Sequence, residues 1–511
     1  MIGTSMKTTI LILALFAAIC YADTHIPAGP VNGVWEATGS PYMIDGNINV
    51  PTDDSLIIEP GCSLIFTGHY SLTVDSMALF KAIGTIDDSI VFTAQDTVFT
   101  DSTGGHNSII FYNSAEFCSI QFIIVEFGHK FVEFLGDGYG AGVSSISTNL
   151  NVRNSLFQKN FIFTSRDSLD YGPGGGIYSY GKPLKVTDCL FRENIASSGS
   201  AIFSSCSDLF VSNCLFILNE SGAFPFWGGG TIINEQGSND IILYIANNTF
   251  TRNIGSVSGV NIFPYSGSST YEYKMLFINN ILYSNDSTEI IVQRMTPETD
   301  LKIQMNSNLI DTSDVILNGA LYSILSSQFY NFTPLFIDTI IGDYSLSSSS
   351  NCIDAGVDSV YFSTATWDTI IFAPDHDIEG NPRPLGAGYD IGAYEYVPTG
   401  IEENSPSAKP EAFALSAHPN PFNSAVSITA PEGSEIEIFD INGRRISVIS
   451  SEGFMPDEKS PTQSQEISPY GRNDNMSEFL WQPEDNIGSG IYLVRAKIGD
   501  ESTSKRIVYL K

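Results

Sequence analysis

Positive charge is what this chain has least of. Across 511 residues, 24 Lys and Arg stand against 57 Asp and Glu, and charged residues of either sign make up only 16 %. A net charge of −33 repels nucleic acid and anionic bilayers, which excludes both as electrostatic partners. Cysteine is scarce as well: there are seven, none in CxxC spacing, so neither a zinc site nor a redox motif has support. Long apolar runs are missing beyond the N-terminus, where the only stretch, Ile10 to Ile19, is too short to span a bilayer. That stretch follows Lys7 and precedes Cys20-Tyr21-Ala22, the pattern of a secretory signal peptide, residues 1–22, cleaved after Ala22. Bulky Ile19 sits where a lipidation signal wants a small residue, which argues against a lipid on Cys20. Abundant Ser, Asn, Thr, Gly and aromatics suit an extracellular β protein.

What is present is a repeat. Gly142-Val143, Gly175-Gly176-Ile177 and Gly199-Ser200-Ala201-Ile202 each open a short apolar strand. Fourteen residues after each Val or Ile stands Phe157, Phe191 or Phe216, inside an Asn/Asp-x-Leu-Phe-x-x-Asn phrase covering 154–160, 188–194 and 213–219. Looser copies cover 247–253 and 279–285, and the Phe-to-Phe steps of 34, 25 and 34 residues are followed by 32 more to Leu282. A finer period of eight residues links Ser55-Leu56-Ile57-Ile58, Ser63-Leu64-Ile65-Phe66 and Ser71-Leu72-Thr73-Val74. Three such strands make one turn of a three-sided solenoid of about 24 residues, and the longer steps read as a coil plus a loop. Inward Val, Ile, Leu and Phe fill a narrow core, Gly serves sharp turns, and Asn160, Asn194, Asn219 and Asn253 stack as a corner ladder. Cys189 and Cys214, two residues before their Phe, point into the core as buried thiols, although stacked neighbours lie within disulfide range.

After Asn285 the repeat blurs. An atypical segment ending in Asp390-Ile391-Gly392-Ala393-Tyr394-Glu395-Tyr396 is expected to cover the last open edge. The reading is therefore a solenoid over 23–396, a polar linker over 397–412 and a separate unit over 413–511, in which short alternating strands suggest a β-sandwich. The stretch Glu452 to Asn475 reads as a polar insert.

These segments resemble known groups. The repeat body, with Ser40-Pro41-Tyr42, Ile58-Glu59-Pro60-Gly61, Gly84-Thr85 and Ile90-Val91-Phe92-Thr93, resembles the right-handed parallel β-helix proteins of pectate-lyase-like fold. The last hundred residues resemble the C-terminal sorting domain of type IX secretion substrates, on His418-Pro419-Asn420-Pro421-Phe422-Asn423, Asp440-Ile441-Asn442-Gly443-Arg444, Ser489-Gly490-Ile491-Tyr492 and the basic tail Lys505, Arg506 and Lys511. The resemblance implies an all-β protein, a right-handed parallel β-helix followed by a small Ig-like β-sandwich. It implies secretion or attachment at the outer surface of a Gram-negative bacterium, with the type IX machinery as partner. A membrane span and nucleic acid are not expected.

Parallel β-helix enzymes act on acidic polysaccharides, using a Lys or Arg base with bound Ca²⁺, or paired carboxylates. Their motifs are absent: no Asp-Asp pair is followed by Gly-His-Gly, and there is no Arg-Ile-Lys or Trp-x-Asp-His. Asp87-Asp88 lies in a turn without such companions. Lys185 and Arg192 flank one coil near a candidate groove, yet solvated surface explains them as well. Asp375, Asp377, Glu379 and Asp390 are spaced faintly like a calcium loop but lack its other ligands, so no catalytic, metal or cofactor residues are assigned and Ca²⁺ stays open. Aromatics are expected in loops: Tyr171, Tyr178 and Tyr180, then Phe224, Phe226 and Trp227, then Tyr265, Tyr271 and Tyr273. They suit stacking on sugar rings or filling a loop's own core. A non-catalytic glycan-binding or loop-displaying surface protein is the leading function, against a lyase or hydrolase of acidic polysaccharide and a plain spacer.

Overall fold

The computed structural model describes residues 23–99, 104–116, 118–132, 139–164, 172–222, 229–236, 240–264, 271–293, 300–318, 322–339, 342–363 and 368–398. In a second unit it describes 416–418, 426–431, 434–440, 445–450, 476–483, 487, 490–498 and 501–509. The chain divides into two compact units between Thr399 and Gly400. The predicted signal peptide, most of the linker and the polar insert lie outside the described residues.

The first unit is all-β and coils as a parallel β-helix. Strands Ser55–Ile58, Ser63–Phe66 and Leu72–Val74, eight residues apart in sequence, fall on three successive faces, as the fine period predicts. Each pairs in parallel with its counterpart one coil later: Ser55 with Leu79, Leu64 with Phe92 and Leu72 with Ile109. The face holding Leu72–Val74, here the first face, is an eleven-stranded parallel sheet among the described residues. The second face carries Ser55–Ile58 and the third Ser63–Phe66. These two become continuous at the last coils, where strand Asp300–Leu309 pairs with strands of both. Alternation in the sequence becomes burial directly: Leu56 and Ile58 are buried while Ile57, between them, is exposed.

The seven-residue phrase is decoded position by position. Its Phe points inward and sits in register with the next: Phe157 with Phe191, Phe191 with Phe216, Phe216 with Phe250, then Phe250 with Leu282. The four rings stack with centroids 5.0, 5.1 and 4.5 Å apart and interplanar angles of 9°, 12° and 10°. Loop length is invisible to this column: the wide separation in sequence between strands such as Phe161–Thr164 and Ile177–Tyr180 leaves the register of the rings unchanged.

The last Asn of the phrase builds the predicted ladder. Asn160 Nδ2 donates to Asn194 Oδ1 at 2.9 Å, and Asn194, Asn219 and Asn253 pass the same bond onward at 3.0 Å each, ending on Asn285. The second proton of each amide goes to a backbone carbonyl, such as Phe157 O for Asn194 at 2.9 Å. The ladder ends on Glu289, whose carboxylate accepts from Asn285 at 3.0 and 2.9 Å. Burial pushes that carboxyl up to about 8.

Two expectations are refined. The left-handed residue at this corner is the one before the ladder Asn: Lys159, Glu193, Leu218, Arg252 and Ser284 all have φ between 53° and 61°. Glycine is demanded by close approach as well as by turning. A Cβ on Gly176 would lie 2.6 Å from Ala201 O of the next coil, whereas Gly199 has φ +60°. A second, unpredicted ladder occupies the second phrase position from Asn248 through Asn280 to Asn308, with both bonds 3.0 Å. Two coils earlier that column holds Cys189 and Cys214, fully buried free thiols.

The terminal segment departs from its expected place. Its bonds to the coils run along their side, at the corner between the second and third faces. Val357 N donates to Asn279 Oδ1 at 2.9 Å, Asn247 Nδ2 donates to Asp390 O at 3.1 Å, and Asn213 Nδ2 donates to His376 O at 2.8 Å. The first residue of the phrase, left-handed in Asp188, Asn213, Asn247 and Asn279, is thus a row of anchors for a strap. The corner needs positive φ, which Asn and Asp tolerate, and their side chains are left free to reach outward.

The second unit has two small antiparallel sheets, of three and four strands among the described residues. Val426, Ile428, Ile436, Ile438, Phe479, Trp481, Val494 and Ile507 form its core. Glu437 is held by Arg445 at 2.9 Å and by Arg495 Nε at 3.0 Å.

Phe191→Ala, which opens a cavity between two stacked rings, is expected to cost about 3–5 kcal/mol, read as a fall in the denaturant midpoint. A loss below about 1 kcal/mol would show that the stack is not a fixed core element.

Candidate functional site

The strap and a hairpin preceding it build a groove on the second face. Outward positions of successive coils align there in one column: Lys185 pairs with Phe210, Phe210 with Tyr244, and Tyr244 with Leu276. A neighbouring column runs from Arg153 through Thr187 to Ser212. The hairpin of strands Ser359–Ser363 and Asp368–Phe372 buries Val360 and Phe362 against Ala246, Leu276 and Ile278. Tyr244 hydroxyl donates to Phe372 O at 2.9 Å and fixes its edge. The space left between hairpin, strap and coil face is about 550 Å³. Phe210, Tyr244, Leu276, Ile371, Ala373 and Pro374 form its apolar part, and Arg153, Lys185, Thr187, Asn213 and His376 its polar end.

The polar end is organised around Asp188, whose side chain is 2 % exposed. Its carboxylate receives Asn213 Nδ2 at 3.1 Å, meets His376 Nε2 at 3.2 and 3.3 Å, and lies 3.8 Å from Arg153. His376 Nδ1 faces Asp375 at 2.7 Å. Partial burial works against protonating His376, but Asp375 and Asp188 on its two sides outweigh it and hold the imidazole above its ordinary pKa.

Several expectations are resolved here. Lys185 lines the groove, while Arg192 lies on the third face, bonded to Gln158 and 3.7 Å from Glu193, so the two do not converge. The acidic cluster is taken up by groups of its own chain, beside a buried cation paired with Glu395. Arg383 bonds Glu395 at 2.8 Å with both side chains 0–1 % exposed, and donates to Asp390 O and Gly392 O at 3.1 and 2.9 Å. Asp377 accepts backbone N–H groups of Glu379, Asn381 and Glu395 at 2.9, 2.8 and 2.9 Å, and Asp390 accepts from Asp354 N at 2.7 Å. Asp375 turns away to His376.

The aromatics divide. Tyr178 and Tyr273 are strand residues, buried, with Tyr178 stacked on Phe203 at 5.7 Å and Tyr273 hydroxyl bonded to Asn234 at 2.5 Å. Tyr180 is 43 % exposed on the first face, two rungs from Tyr112, 56 % exposed, with Ile146 between them. Tyr171, Phe224, Phe226, Trp227 and Tyr265 lie outside the described residues.

Arg153, Asp188, Phe210 and His376 escaped the sequence reading. Asp188 carried one signal, being acidic where other copies of the phrase have Asn; its partner His376 is 188 residues away and carried none.

No family model and no solved structure matches the chain. It is similar to the metabotropic glutamate receptor-like protein R of Dictyostelium discoideum, 29 % identical over 160 residues. That alignment takes 27 % of this chain and 9 % of the relative, so the chain spans under a tenth of that protein's length.

Two outcomes are expected. Removing the buried cation with Arg383→Ala leaves the Glu395 carboxylate buried and unpaired and costs about 3–5 kcal/mol by denaturant unfolding. The His376 pairing stabilises fully below the unfolded imidazole pKa, about 6.5, and is lost as pH rises through the higher folded value. The difference in thermal midpoint between the native chain and His376→Asn should therefore shrink from pH 5.5 to pH 8. Half-exposed as the ring is, the effect stays below about 1 kcal/mol. A constant difference would assign the ring a packing role only.

Proposed function

We propose that this is a secreted or outer-surface-attached, non-catalytic protein of a Gram-negative bacterium that binds glycans and displays loops from a right-handed, pectate-lyase-like β-helix. In this reading the C-terminal unit is an Ig-like sandwich that addresses the chain to the type IX machinery. The observation that carries glycan binding is the pair Tyr112 and Tyr180. They are exposed in one column of a coil face, two rungs or about 10 Å apart, and a flat aromatic at each point suits alternate sugars of an extended polymer. The antiparallel sheets of the second unit and their single core support the sandwich reading.

A second reading, a lyase or hydrolase of acidic polysaccharide, draws on one observation: Arg153, Lys185 and His376 converge beside Asp188 at one groove. Incubation with a panel of uronate-containing and neutral polysaccharides, with and without Ca²⁺, separates the readings. Retention without new unsaturated or reducing ends is expected; their release would replace binding with catalysis. Tyr112→Ala and Tyr180→Ala should each weaken retention about 2- to 10-fold, the worth of one stacked ring. Unchanged retention in the double variant would remove this face from the proposal.

A further inference from the structure

The groove on the second face differs in chemistry from the face that carries the two exposed tyrosines. The hydroxyls of a sugar call for several polar partners around the ring, whereas Phe210, Tyr244 and Leu276 present ring and methyl carbons along the column. Polarity is confined to one end. There Asp188 already engages His376 and faces Arg153, and Lys185, which carries no ion pair among the described residues, is left as the free cation of the groove. Arg153 is engaged only loosely, at 3.8 Å from Asp188.

The same end contains a buried hydroxyl that finds no hydrogen-bond partner among the described residues, Thr187 Oγ1, in a residue 8 % exposed. An unpartnered buried hydroxyl costs free energy, and a ligand oxygen brought beside Lys185 would relieve it. Thr187 stands in register with Arg153, so hydroxyl and guanidinium meet the groove side by side. From Lys185 to Leu276 is three rungs, about 14 Å at ~4.8 Å per rung, and the volume of the half-open groove falls within the usual range for small-ligand sites.

We propose that this groove binds an amphipathic carboxylate. The anionic head lies at Lys185, Arg153 and Thr187, and the apolar body lies along Phe210 and Tyr244 beneath the hairpin. An acyl chain and an aromatic ring system both carry such a head, and the chemistry recognised is the same. This site is on a different face from Tyr112 and Tyr180, so it stands or falls independently of glycan binding there.

The test is calorimetric titration of the full chain at low salt with octanoate, 2-naphthoate, their neutral amides, and a galacturonate disaccharide. Saturable one-site binding of either carboxylate is expected, with its amide at least tenfold weaker. The better of the two carboxylates identifies the body as acyl or aryl. Lys185→Gln should weaken binding about 3- to 10-fold and reduce its salt dependence. Thr187→Val should weaken it about 3- to 10-fold while leaving the charge intact. Phe210→Ala should reduce it further; should that variant fail to fold, Lys185→Gln, at an exposed position, still decides. Binding of neither carboxylate, equal binding of acid and amide, or indifference to Lys185→Gln overturns the proposal. So does disaccharide binding that depends on Lys185 while both amphipathic acids fail.

Discussion

The rest of this structure depends on one repeated contact, an amide resting on an amide one coil above. Asn160, Asn194, Asn219, Asn253 and Asn285 are joined by four such bonds of 2.9–3.0 Å, the Nδ2 of each donating to the amide oxygen of the next coil. A buried primary amide is costly anywhere its four bonding positions go unmet. Here the helical repeat meets them with a copy of the same group, so the cost vanishes only when neighbouring coils are in register. The ladder therefore specifies register more sharply than apolar side chains do, since one aliphatic group packs against another with little regard for a shift. Phe157, Phe191, Phe216 and Phe250 then add contact area to an alignment that the amides define.

The same phrase does three jobs because its positions face three ways. The first residue adopts left-handed backbone and reaches outward, where Asn213, Asn247 and Asn279 hold the strap. The strap in turn carries His376 to Asp188 and supports the hairpin over the second face. The groove thus exists because a corner that required positive φ was filled with residues whose side chains could still bond. Arg383, buried against Glu395, keeps the strap's own irregular backbone in place.

Legibility followed the range of the interaction. The coil, its three sides and the first ladder were open to reading because stacking repeats the same residue at every rung: period and register are one fact seen twice. The cysteines could be read as core thiols for the same reason. The strap was placed at the wrong surface because its contacts are between a non-repeating segment and side chains that repeat for backbone reasons, and nothing local distinguishes an anchor from a turn residue. Tyr178 and Tyr273 looked like loop aromatics, yet strands Ile177–Tyr180 and Glu272–Ile278 bury them, because the coil boundaries shift between copies. The groove was illegible for a further reason. Lys185, Phe210 and Tyr244 are unrelated in type, and only the register of three coils makes them one surface.

Because residues added between rungs leave the rung positions unchanged, contour length and rod height are uncoupled. Phe157 to Phe191 and Phe191 to Phe216 take 34 and 25 residues, yet each pair spans one rung. Segments remote in sequence are consequently held at a fixed pitch, like teeth on a rack. Each tooth can be exchanged, lengthened or rewritten without resetting its neighbours, so a composite surface can diversify one coil at a time while its spacing is inherited unchanged.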